Sequence, residues 1–318
     1  MRPCTPALSA FFAGANYDAI IIDLYTFALT SGETLRYAAG STALALPASC
    51  FADPNSLNYG AQQNFALGPR FGRSKISTKI GVEPAELEID VLAGATDLVG
   101  TFPFAEAVRV GVFDGATVEL DRFFAPPQTG GSGALSTSLG CLTWFYGRVA
   151  ECDIGRSQVS IKVKSLMKLL ATQQMPRRLY QASCNFVFGD AMCGYNRVTG
   201  TAGSGTTGGP GQVTVTAAAG SSQGGLVLAA TLSTNYIEGT ITGATGQNTG
   251  YSRTVQGIGA GGTTLGLFKP WLYPVAAGDT FTVLAGCDHT TGSGGCAGRN
   301  NLARFGGFPY IPPPEAAF

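Results

Sequence analysis

At 318 residues, with 20 basic and 20 acidic side chains and no net charge, the chain is long enough for two or three domains. It shows no electrostatic footprint for nucleic acid. Hydrophobic residues make up 45% of it, charged residues only 13%, and it holds 45 glycines, which suits a β-rich protein whose surface is covered by partner subunits. No uninterrupted apolar run reaches the roughly 18 residues of a membrane span. The opening, MRPCTPALSAFFAGANYDAI, has no long apolar segment of the signal-peptide kind, so synthesis in the cytoplasm is expected.

Residues 5–14 can form a short helix. DAIIIDLYTFAL at 18–29, the turn TSGE and TLRYAAG then read as strand, turn, strand. In KISTKIGVEPAELEIDVLAG the apolar positions Leu87, Ile89 and Val91 alternate as in a half-buried strand. AVRVGVFDGATVELDRFFA predicts a hairpin, with strands over 108–113 and 117–123 around Asp114-Gly115, a favoured pair for a tight turn. WFYGRVAECDIGRSQVSIKVKS predicts another strand pair around DIGRS. The texture changes at SLMKLLATQQMPRRLYQASC, where Leu166, Leu169 and Leu170 have helical spacing and Pro176 interrupts it. Beyond a Gly/Thr/Ser-rich stretch at 199–225, the segments QVTVTAA, GLVLAATLS, YIEGTIT, TTLGLF and DTFTVLAG predict a small β-barrel or sandwich. The expected organisation is a mainly β, multi-domain chain. A β-rich region spans 1–164, a helical connector with the first cysteine pair 165–196, an inserted β unit 197–285, and the second cysteine pair with a C-terminal wrap 286–318.

Eight cysteines lie at 4, 50, 141, 152, 184, 193, 287 and 296, and the last four repeat one spacing. Cys184 and Cys193 in CNFVFGDAMC, and Cys287 and Cys296 in CDHTTGSGGC, each enclose eight residues, and asparagines follow each second cysteine (CGYN, CAGRNN). An insert with adjacent ends brings the two pairs together. Four thiolates can then hold a [4Fe–4S] cluster or a closed structural zinc site. Zinc sites favour two to four residues between paired cysteines, and the wider loops suit a larger group. Disulfides or buried thiols remain the alternative, one that synthesis in a reducing compartment weakens. Cys4, Cys50, Cys141 and Cys152 show no pairing pattern, and Cys141 and Cys152 are expected as buried small hydrophobes.

The sole histidine, His289, lies two residues after Cys287. A Cys–His nucleophile needs a histidine oriented by a third group, and none is evident, so a solvated loop residue is expected. Asp18, Asp23, Glu83, Glu86 and Glu88 form no acid–base pair and are expected on solvated faces. GSGTTGGPG lacks the Gly-Lys-Ser/Thr ending of a phosphate loop.

Several segments in order, namely DLYTFALTSGETLRYAAG, CNFVFGDAMCGYN, YIEGTITGATGQNTGYSRTV, LFKPWLYPVAAGDTFTVLAGCDHT and CAGRNNLARFGGFPYIPPP, resemble the tail-tip hub proteins of siphophages. That family takes in the hub proteins of gene transfer agents and is similar to the lambda tail tip. The resemblance runs through nearly the whole chain and is strongest over 179–314. It implies a structural virion protein rather than an enzyme, assembled in the host cytoplasm and located at the tail tip. It further implies a homo-oligomeric ring, expected to be trimeric, joining the distal tail protein to a central fibre or receptor-binding protein. In lambda-type relatives four cysteines carry a [4Fe–4S] cluster, which implies ligand roles for Cys184, Cys193, Cys287 and Cys296. The chain departs from the pattern in the Gly/Ser-rich loop between Cys287 and Cys296. The rival readings are a tail-associated cell-wall hydrolase or peptidase, and a carbohydrate-binding module stapled by zinc or disulfides.

Overall fold

The computed structural model describes residues 3–14, 18–76, 85–94, 96–127, 135–155, 158–167 and 180–311. The chain divides into two units, Met1–Thr172 and Gln173–Phe318. In the first, α1 (Pro6–Ala13) starts where Thr5 leaves the extended region and its hydroxyl accepts the Leu8 N–H, with Pro6 at the first helical position. Leu8 is the buried face of this helix and packs with Phe124 and Leu142.

The strands of the first unit follow in order: β1 (Ile20–Ala28), β2 (Thr34–Ala38), β3 (Leu44–Leu46), β4 (Gln63–Leu67), β5 (Arg70–Arg73), β6 (Glu86–Leu92), β7 (Leu98–Val99), β8 (Phe102–Pro103), β9 (Thr117–Ala125), β10 (Gly140–Ile154) and β11 (Gln158–Ser165). Nine of them form one sheet in the order β3-β4-β2-β1-β9-β10-β11-β6-β5, with β7 and β8 paired apart. All pairings are antiparallel except β2 with β4. The sheet curls, because Phe71 on the terminal strand β5 stacks on Tyr25 of β1 at 4.7 Å and meets Tyr37 of β2 at 5.4 Å. Across the same opening Arg73 reaches Asp23 at 2.6 Å. The result is a half-barrel. Helix α2 (Phe104–Arg109) plugs it, with Phe104 against Phe113, Phe71 and Tyr37.

The expected alternation of Leu87, Ile89 and Val91 is realised in β6, where all three are buried, and the hairpins β1–β2 and β10–β11 form as the sequence predicts. The hairpin expected around Asp114-Gly115 does not form. Only its second half is a strand, β9; the first half runs from α2 into turns. Phe104, Ala107 and Val108 repeat at helical spacing and are all buried, so burial of a helical face overrode the local β alternation. Gly115, at φ 66°, still makes the turn into β9.

On the outer face of the sheet the loop before β4 covers a second core of Ile22, Leu24, Leu46, Cys50, Phe51, Phe65, Phe123 and Cys141. Two acidic side chains of β9, Glu119 and Asp121, are fully buried beneath this loop. Ser56 Oγ and the Leu57 N–H donate to the Glu119 carboxylate, and Asn58 Nδ2 donates to Asp121 at 2.9 Å. Asp23, expected on a solvated face, is instead gripped by Arg73 and Arg122, at 2.6 and 3.0 Å. Glu86 and Glu88 are exposed as expected, whereas Glu83 lies outside the described residues. Cys141 is buried as expected, but Cys152 is only half-buried because it lies near the end of β10, beyond the covered part of the sheet.

In the second unit six strands, β12 (Val213–Thr216), β13 (Gly225–Val227), β14 (Thr240–Gly243), β15 (Ser252–Ile258), β16 (Thr264–Leu267) and β17 (Thr280–Leu284), form a sheet in the order β12-β17-β14-β15-β16-β13. Ala229 N–H to Thr216 carbonyl at 2.9 Å and Ala218 N–H to Val227 carbonyl at 2.7 Å join its two ends through a bridge at Ala217 and Leu228, closing a small barrel. Its interior holds Ile241, Val255, Trp271, Phe281 and Val283, all at 0% exposure, which shows that a dry core forms despite the glycine-rich sequence. The six strands lie between the two cysteine pairs in sequence. Leu169, Leu170 and Pro176 of the expected helical connector lie outside the described residues. The described parts of that connector are 165–167, where β11 ends and Met167 is helical, and 180–196, which consists of turns and bends rather than helix.

Candidate functional site: a four-thiol cavity

Cys184 and Cys193 sit in turns leading into the barrel, and Cys287 and Cys296 in turns leading out of it. The closure of the barrel therefore brings both pairs to one place. Cys184, Cys193, Cys287 and Cys296 line a single small cavity, together with Phe186, Phe188, His289, Arg299, Asn301 and Arg304. Cys193, Cys287 and Cys296 are buried and Cys184 is half-buried; all four are free thiols. Among the described residues, no group of three or more His, Cys, Asp or Glu side chains is placed to hold a metal ion.

The backbone around each thiol is held by local polar contacts. Asp190 caps the turn before Cys193, accepting its N–H at 2.6 Å and that of Val187 at 3.2 Å. Asp288 holds the second loop by accepting from the Thr290 N–H and hydroxyl at 2.9 and 2.8 Å. The Cys184 N–H donates to the His289 carbonyl at 2.8 Å, which ties the first cysteine segment to the second. The Asn185 side chain donates to the Gly306 carbonyl at 3.1 Å, and the Gly306 N–H donates to Cys184 Sγ at 3.3 Å. Asn301 donates to the Cys193 carbonyl at 3.0 Å and to its Sγ at 3.5 Å, while its own carbonyl oxygen accepts the Gly203 N–H. Two N–H groups thus reach sulfur directly, one at Cys184 and one at Cys193.

At the second cysteine pair burial is the dominant influence. It pushes the Cys296 thiol up to about 11, with Cys287, Cys184 and Cys193 adding to the rise and Arg299 opposing it. Cys287 is raised for the same first reason, burial, with the His289 backbone N–H and Arg299 pulling it down. Cys287 and Cys296 thus need nearby positive charge to ionise in this cavity.

His289 was expected to be solvated and is not. It is half-buried on the cavity wall, in a left-handed backbone conformation (φ 57°) that aims its carbonyl at Cys184. Its role is carried by the main chain. The sequence reading missed Arg299, Arg304 and the two phenylalanines. Asn301 was in view only as one of the asparagines after Cys296. Phe188 stacks on Tyr195 at 5.0 Å, and the guanidinium groups of Arg197 and Arg299 come within 5.5 and 5.3 Å of its ring. The aromatic spacing of FVFGDAMCGYN was the signal that could have found this wall. Of the C-terminal segment, described as far as 311, the Phe308 N–H donates to the Gln181 carbonyl and Phe308 packs on Tyr180 at 4.7 Å. Pro312, Pro313 and Pro314 lie outside the described residues.

Comparison with known proteins gives this arrangement its context. A search of curated proteins found no match. A solved structure, the virion of a native gene transfer agent particle, contains a chain that superposes with a TM-score of 0.61 at 19% identity. The match covers 98% of this chain and 95% of that one, so the two share their fold along nearly their full lengths. The family described as phage conserved hypothetical protein BR0599 matches residues 234–315, which hold the second cysteine pair. The family described as baseplate hub protein, N-terminal attachment domain, matches residues 6–196, more than half of the chain and through the first cysteine pair. The chain belongs to the phage baseplate hub proteins, structural components of the virion tail.

Proposed function

We propose that this hub closes the end of a non-contractile, siphophage-type tail, and that a [4Fe–4S] cluster on Cys184, Cys193, Cys287 and Cys296 staples its C-terminal unit. The observation that carries this reading is the convergence of the four thiols, from two segments separated by the whole barrel, on one cavity. The donor set fits the group. It is all sulfur, which iron–sulfur clusters accept, and N–H groups reach Cys184 and Cys193 at the sulfur itself. A single zinc draws its sulfurs to about 2.3 Å from one ion. The eight-residue loops between the paired cysteines are wider than the two to four residues such a site favours, which suits the polynuclear occupant. The bound cluster supplies a cross-link between chain segments, in a region rich in glycine whose loops are otherwise costly to order.

As an assembly protein the chain has binding work to do and no reaction to catalyse. In this reading copies form a ring, taken as a trimer, between the distal tail protein and a central fibre or receptor-binding protein. Large apolar side chains stand exposed on the first unit, among them Ile21, Leu67, Leu92 and Leu98, as a subunit that buries its flanks in a ring requires. Anaerobic purification followed by iron, acid-labile sulfide and zinc assays tests the cluster. Iron and sulfide in equal amounts are expected, and colourless protein with zinc or with intact disulfides refutes it. Native mass spectrometry and electron microscopy of particles test the assembly. A chain that stays monomeric and is absent from the tail end refutes that part.

A further inference from the structure

We propose that Arg299 is the buried counter-charge of the four-thiol site and donates its Nε–H to the anionic group held there. The inference rests on the cluster reading and adds a residue outside the cysteine ligand set. Arg299 is only 2% exposed, lines the cavity and, among the described residues, makes no ion pair. Its two terminal nitrogens are spent on main-chain carbonyls. Nη1 donates to Gly294 and Gly295 at 2.5 and 2.8 Å, and Nη2 donates to Gly286 and to Asn235. Gly286 precedes Cys287 and Gly295 precedes Cys296, so one guanidinium holds the approach to both cysteines of the second pair and fixes them to the barrel turn at Asn235. The remaining nitrogen, Nε, is buried without a hydrogen-bond partner.

A buried guanidinium with neutral carbonyls on one side and an orphan N–H on the other is a costly arrangement unless an anion completes it. The acidic groups nearby are otherwise engaged: Asp288 holds Thr290, and Asp190 holds Cys193 and Val187. Four thiolates, or the cluster they bind, carry the missing negative charge. Arg304 also lines the cavity but is exposed, so water screens its charge. The Phe188 ring lies 5.3 Å from the Arg299 guanidinium and adds an apolar neighbour rather than a counter-charge.

The test uses the full-length chain purified without oxygen, as wild type, Arg299→Gln, Arg299→Lys and Arg304→Gln. Iron and sulfide content is measured first, then the rate of iron release to an excess of chelator, then the reduction potential. Wild type without iron and sulfide overturns the cluster reading itself, before any substitution is considered, and this inference with it. With wild type loaded, Arg299→Gln is expected to release iron about tenfold faster or more. Its potential is expected to shift to more negative values, because the reduced, more anionic state loses a nearby positive charge. Arg304→Gln is expected to shift it less. If Arg299→Gln fails to fold, Arg299→Lys decides: it keeps the charge but loses Nε and the fork, so faster release with a potential near that of wild type supports the proposal. Wild-type release and potential in either Arg299 variant overturns it.

Discussion

Asn301 grips Cys193 at two points, its backbone carbonyl at 3.0 Å and its sulfur at 3.5 Å, and so joins the segments before and after the barrel. The same side chain accepts the Gly203 N–H at 3.0 Å. Replacing Asn301 by Ala strands these groups in a buried site, and about 1–3 kcal/mol of stability is expected to be lost. Chemical denaturation of the anaerobic protein measures it, and a change below about 0.5 kcal/mol sinks the claim that this residue ties the two segments.

Each cysteine of the set is expected to matter to the site and not to the barrel. Cys296→Ser should lose most bound iron, since a hydroxyl is a harder and weaker ligand for the soft group than a thiolate. Trp271, fully buried in the barrel core, should keep its fluorescence maximum in that variant. Iron content equal to wild type removes Cys296 from the ligand set.

The half-barrel depends on its plug. Phe104 is 1% exposed and touches Tyr37, Phe71 and Phe113. Phe104→Ala empties that space at an expected cost of about 3–5 kcal/mol. Calorimetry of the variant reads this cost as a lowered unfolding temperature.

Stability should also fall as pH rises, through the buried carboxyl pair of β9. Burial and the adjacent Asp121 raise Glu119 from its ordinary 4.5 to about 8, against hydrogen bonds from Ser56 and Leu57 that lower it. Asp121 is raised too, by burial first. Asp53 adds to that rise, Asn58 bonds Asp121, and Arg36 meets Asn58 at 2.9 Å, so among the described residues the pair is surrounded but not ion-paired. Folded Glu119 therefore keeps its proton where the unfolded chain has lost it. Its contribution is fully present below about 4.5 and is lost as pH climbs to about 8. Denaturation midpoints across that window should decline in wild type and decline less in Glu119→Gln. Equal slopes in the two proteins refute the assignment.

Local pattern was enough for elements whose two faces meet different surroundings. The alternation in β6, the hairpins β1–β2 and β10–β11, and the threonine-capped start of α1 are all legible in the order of the residues. The segment 108–113 was not, because an apolar run at the mouth of a barrel is decided by what must plug it, and Phe104, Ala107 and Val108 bury themselves better as a helix. The buried Glu119 and Asp121 were equally hidden, since acidic residues in a strand read as solvent-facing until a loop more than sixty positions away is laid over them.

By itself the sequence determined the β character, the repeated cysteine spacing and the family resemblance, for these are properties of residue order. The tertiary structure alone decided what surrounds the thiols. The barrel closes through Ala218 and Ala229 and its ends come together, so Arg299 and Asn301, which follow Cys296, meet Phe188, which lies between Cys184 and Cys193 on the far side of the barrel in sequence. Charge and hydrogen-bond complementarity across such distances depend on chain closure, and closure is a property of the folded barrel.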